Sequence, residues 1–195
     1  MSLQIGRIKG IRIRLHFTLI ITFFLIDWTL STYFMPDYVK GLALFSYWII
    51  GSIATVLLFF SILLHELAHS LVAKRYGIPV KSITLFIFGG VSDIAKEPQD
   101  FNQEFKMSIV GPLTSLGLGA IFAVLLWLVS HGNTNSGNTI TNLLQGIFFY
   151  GSIANVMLGV FNLVPAFPLD GGRILRAGLV KWKKDYHQAT KIDTT

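Results

Sequence analysis

Ser61-Ile-Leu-Leu-His-Glu-Leu-Ala-His-Ser-Leu-Val-Ala73 closes an apolar stretch that opens at Ala43. Between Lys40 and Glu66 there is no Asp, Glu, Lys or Arg for 25 residues, enough for a helix to cross about 30 Å of hydrocarbon. His65, Glu66 and His69 then fall within little more than one helical turn. Ionisable side chains are costly there and are tolerated mainly for function. Positions four apart on a helix lie about 40° apart around its axis, so His65 and His69 leave one face and can grip one ion while Glu66 reaches a water on it. Zinc-dependent peptide hydrolysis uses that constellation; the plain alternative is a polar patch for helix packing. With Lys74 as the cytoplasmic edge, nine residues at about 1.5 Å each put His65 about 14 Å into the layer.

Working outward, a first span is expected from about Leu15 to Met35, a third from Met107 to Ser130 and a fourth from about Leu143 to the prolines at 165 and 168, with a polar turn from His131 to Thr139. No charge interrupts the 63 residues between Lys106 and Asp170. The first span is read as retained rather than as a cleaved leader, because Trp28, Tyr33 and Phe34 are too bulky for a cleavage site. Asp27, beside Trp28, is expected at the membrane interface.

The whole composition agrees. Of 195 residues only 13% are charged and 52% are hydrophobic, and mean hydropathy is +0.60, whereas soluble domains average about 25% charged. The net charge of +6 would raise nucleic acid as a partner in a soluble chain, but its placement excludes that. An odd-even arrangement of loops puts every Lys and Arg except Lys40 on one side, fifteen against one. Cytoplasmic loops carry such an excess, so both termini are expected inside a multi-pass cell-membrane protein. With no cysteine, a metal must be held by nitrogen and oxygen.

Val80-Lys-Ser-Ile-Thr-Leu-Phe-Ile-Phe-Gly-Gly-Val91 is β-branched, aromatic and too short to cross as a helix. It reads as a strand or hairpin, re-entrant or at the membrane face, because strand backbone cannot lie bare in lipid. The fold expected is therefore an all-α polytopic membrane protein of about four transmembrane helices, with this short β segment and a C-terminal cytoplasmic helix, forming a single core domain over 1–195.

Catalytic zinc needs a third protein ligand. The acids on the cytoplasmic half are Asp93, Glu97, Asp100, Glu104, Asp170, Asp185 and Asp193. Asp170 is preferred, since in Asn162-Leu-Val-Pro-Ala-Phe-Pro-Leu-Asp-Gly-Gly-Arg173 the prolines and glycines break a helix and can aim a side chain at a neighbour. Its charge and that of Glu66 would balance a +2 ion. The alternative role for Asp170 is to cap a helix that begins at Gly171.

Over nearly all its length the chain resembles the site-2 protease family of intramembrane zinc metalloproteases. His65 to His69 matches the HExxH motif, Asn162, Pro165 and Leu169-Asp170-Gly171 match the later motif, and Gly77-Ile-Pro-Val80, Gly89-Gly90 and Gly111-Pro112-Leu113 are weaker matches. The resemblance implies one zinc on His65, His69 and Asp170, Glu66 as the catalytic carboxylate, and Asn162 near the metal for substrate or oxyanion. It also implies that the strand around Ile83 to Val91, with Gly89 and Gly90, pairs with an unwound substrate. An interhelical hydrogen bond for Asn162 and an ordinary hairpin for the strand stay open. Members commonly continue with two further spans, and Lys183 to Thr190 looks like the start of a fifth. The expected partners are the lipid bilayer and a membrane protein cleaved in or near its transmembrane helix, with no nucleic acid. A metal transporter or sensor using the same ligands is the rival, although transit has no need of Glu66.

Overall fold

The computed structural model describes residues 2–96, 98, 100–132 and 139–183. Four helices among them have the length and composition to cross a membrane, at Thr18–Tyr38, Leu44–Arg75, Phe101–His131 and Thr139–Asn162, close to the four spans expected. The first comprises α1 (Thr18–Thr29), a π-helical stretch at Leu30–Phe34 and α2 (Met35–Tyr38). Next come α3 (Leu44–Arg75), α4 (Phe101–Gly132), α5 (Thr139–Asn162) and α6 (Asp170–Lys183). At 32 residues each, α3 and α4 are about 48 Å long and outrun a hydrocarbon core by about 18 Å. Their extra turns carry the remaining elements.

Lys74 and Arg75 occupy the last turn of α3, where they complement the helix dipole. Gly77, at φ 72, then reverses the chain, with Ile78 N–H donating to the Ala73 carbonyl and Gly77 N–H to that of Lys74. That paired closure needs a residue with positive φ, and it sends the chain back along α3 as a strand.

The β component is larger than expected. Four strands, β1 (Ser2–Ile8), β2 (Ile11–His16), β3 (Val80–Phe86) and β4 (Gly89–Ile94), form one sheet in the order β1-β2-β3-β4. The mostly helical architecture stands, with the short β segment enlarged by β1 and β2: Ile11-Arg-Ile-Arg-Leu15 alternates with the period of a half-buried strand. Lys9 and Gly10, at φ 47 and 83, make the two-residue turn that a tight hairpin requires. β2 pairs in parallel with β3, Arg12 opposite Ser82 through Leu15 opposite Leu85. Ile11, Ile13 and Ile83 pack with Ala73 and Met107, against Leu63, Leu67 and Leu71 of α3. A second cluster, around Leu30, Met35, Tyr47, Ile50, Ala54 and Ile147, fills the other end of the bundle.

Asp27 is packed inside the bundle. It is 4% exposed and accepts hydrogen bonds from Ser31 at 3.0 Å and from Ser52 on α3 at 2.9 Å, so it ties the first crossing to the second. Glu97, Asp185, Asp193, most of the polar turn and nearly all of the proposed fifth-span start lie outside the described residues.

Candidate metal centre

His65 and His69 project from one face of α3, as their spacing required, with their Nε2 atoms 3.1 Å apart. Asp170, the first residue of α6, brings Oδ2 to 3.1 Å from His65 Nε2 and 3.0 Å from His69 Nε2. All three residues are buried. His69 Nδ1 donates to the Met107 carbonyl of α4, which leaves Nε2 of the neutral ring as a lone pair facing a carboxylate. His65 Nδ1 lies 2.9 Å from Ser115 Oγ, also on α4. Acceptors converging in this way repel unless a cation joins them. Bonds of about 2.0–2.1 Å to a tetrahedral zinc separate its ligand atoms by about 3.3 Å, close to the distances here, so the residues fit a zinc ion.

Opposite these ligands stands Gly111 of α4. A Cβ there would fall 2.1 Å from His69 Nε2 and 2.7 Å from His65 Nε2, so the missing side chain is what leaves room for a ligand. Glu66 is partly buried beside the pair, and its Oε2 accepts a 2.8 Å hydrogen bond from Ser92 of β4. A Cβ on Gly90 would come within 2.5 Å of Glu66 Cγ, so the strand backbone touches the carboxylate's stem.

The other candidate acids among the described residues are engaged elsewhere or turned outward. Asp93 is exposed on β4, and Asp100 caps α4 by accepting from Gln103 N–H at 2.9 Å. Glu104 is 0% exposed and pairs with Arg176 of α6 through the guanidinium Nε, at 2.9 Å, and Nη2. That pair fastens α6 to α4 six residues beyond Asp170. Asn162 donates to the Leu158 carbonyl of its own helix at 2.9 Å instead of reaching the cluster. Gly89, at φ 125, opens β4 at the hairpin turn. Sequence reading missed Ser115, Ser92 and the Glu104–Arg176 pair. None of these carries a signal of its own in the sequence, since each is an ordinary residue type for its element.

The chain matches the model of Peptidase family M50 at residues 53–134 and 128–193. It is 38% identical to a zinc metalloprotease of Methanocaldococcus jannaschii over 98% of its own length and 49% of that protein. Identity to the Rip3 protein of Mycobacterium tuberculosis is 36%, over 94% of this chain and 44% of the relative. Among solved structures it is similar to the site-2 protease from Methanocaldococcus jannaschii, with a TM-score of 0.63 and 39% identity over 99% of this chain and 78% of that one. The chain thus spans about half the length of these curated relatives.

Proposed function

The chain belongs to peptidase family M50, the site-2 protease family, and from that premise we propose that it is an intramembrane zinc metalloendopeptidase that hydrolyses a peptide bond within or near a transmembrane helix of another membrane protein. The carrying observation is the convergence of His65, His69 and Asp170 on one point with Glu66 next in sequence to the first of them. His65, His69 and Asp170 would hold one zinc ion. When bound, zinc supplies Lewis acidity, which polarises an amide carbonyl and makes water a nucleophile near neutral pH. Glu66 takes a proton from the attacking water as its oxygen bonds to the carbonyl carbon. It then gives that proton to the amide nitrogen as the C–N bond breaks. Ser115 and the Met107 carbonyl fix both imidazole rings, the orienting role that partners of metal-binding histidines play.

A peptide bond in a helix is shielded by its own turns, so the substrate must unwind. β4 ends the strand order, and its free edge can pair with the extended segment, with Gly89 and Asn162 on the substrate side. Residues 1–195 act as one core domain, with the β3–β4 hairpin at the cytoplasmic half of the bundle and both termini and α6 in the cytoplasm. Metal transit, which would use the same ligands, gives no role to Glu66 and is not what the M50 relatives are named for.

The experiment is cleavage of a single-span substrate by wild type and Glu66→Gln, with His65→Ala as the control for contaminating proteases. Retained zinc with a rate lowered about 10²- to 10⁴-fold is expected, the usual contribution of general base catalysis. Undiminished cleavage by Glu66→Gln would overturn the role of that carboxylate.

A further inference from the structure

Gly90 and Ser92 are alternate residues of β4 and therefore share one face, and both meet Glu66. The glycine lets the strand approach so closely that a Cβ would sit 2.5 Å from Glu66 Cγ. Ser92 Oγ donates to Glu66 Oε2 at 2.8 Å. Ser70 Oγ lies 3.1 Å from Ser92 Oγ, and because Ser92 has already given its one proton to the carboxylate, Ser70 must be the donor to Ser92. Ser70 is 0% exposed and stands one turn beyond Glu66 on α3, so the chain of hydroxyls runs from helix to strand and back to the same helix. Linked donors of this kind polarise one another. No Lys or Arg pairs with Glu66 among the described residues.

We propose that Ser92 is the positioning residue of Glu66. A glutamate side chain has several rotamers to lose when it is fixed, and the Ser70-Ser92 relay is the device that fixes this one. It engages Oε2 and leaves Oε1 for the water's proton. Because the donor sits on the edge strand, an extended segment that pairs with β4 also stiffens the element that holds the carboxylate, and substrate docking is thereby coupled to the readiness of the base. This rests on the peptidase reading above.

The test uses the whole zinc-loaded protein and two readouts, cleavage of a single-span substrate and binding of acetohydroxamate, whose zinc-bound form hydrogen-bonds to a neighbouring carboxylate. Ser92→Ala should retain its zinc and show kcat lowered about tenfold with KM within about twofold, the size expected for a hydrogen bond to a charged group. Ser92→Thr, which keeps the hydroxyl, should recover most of that loss. Acetohydroxamate affinity should fall about tenfold from wild type to Ser92→Ala, but stay unchanged between Glu66→Gln and the Glu66→Gln/Ser92→Ala double variant. Unchanged kcat and affinity in Ser92→Ala, a loss carried wholly by KM, lost zinc, or an equal fall in affinity in the Glu66→Gln background would each overturn the proposal. Failure of the wild type to cleave would count against the peptidase reading, while the hydroxamate cycle still decides the role of Ser92.

Discussion

A single methyl group at position 111 is expected to remove the metal. In Gly111→Ala the new carbon would lie 2.1 Å from His69 Nε2, and neither ring can retreat, since one is tied to the Met107 carbonyl and the other to Ser115. Zinc content of the purified variant should drop from about one per chain to near none, with helical circular dichroism intact. Full zinc occupancy would show that the rings can move. Ser115→Ala is gentler: losing the partner of a metal-binding imidazole typically costs about 10- to 100-fold in metal affinity, measurable by competition with a chelator. Of the residues that line the candidate metal centre, those whose chemistry is unusual for their surroundings were legible in advance. His65, Glu66 and His69 stand out inside an apolar run, and Asp170 follows a helix-breaking stretch. Ser92 and Ser115 are ordinary residues for a strand and a membrane helix, and only tertiary packing gives them partners.

The joint between α6 and α4 governs where Asp170 sits. Arg176→Ala leaves Glu104 as a buried charge without its guanidinium, a change that costs about 3–5 kcal/mol in comparable pairs. Faster hydrogen exchange in α6 and weaker zinc retention are expected together. Replacing both partners by Met should restore much of the exchange protection, since buried pairs exchange well for apolar packing; failure of that double variant would point to a role beyond fastening. The tie between α1 and α3 should behave similarly on a smaller scale. Asp27→Leu strands the hydroxyls of Ser31 and Ser52 at a cost of about 1–3 kcal/mol, lowering the unfolding midpoint in detergent, whereas Asp27→Asn keeps an acceptor and should lose less. The membrane helices were readable because the absence of charge over a fixed length is a strong signal. β1 and β2 were not, because six residues of alternation beside a long apolar run look like its basic flank until β3 is seen to pair with them.

For the molecule as a whole, the fifteen-to-one distribution of positive residues predicts that a cysteine at Ser2 reacts with an impermeant thiol reagent only from the cytoplasm and one at Ser136 only from outside. The reverse pattern would invert the bundle. Both positions can be labelled cleanly, since the natural sequence has no cysteine. The parallel pairing of β2 with β3 has a consequence for biosynthesis. Strands that touch in the finished sheet are separated along the chain by two membrane crossings, so the hairpin of β1 and β2 leaves the ribosome with its inner edge unmatched. At about 5–20 residues per second, the roughly 70 residues from His16 to Phe86 take about 4 to 14 s to synthesise. Throughout that interval the inner edge of the hairpin has no partner strand, and the sheet can close only after α3, with both histidines, has been made.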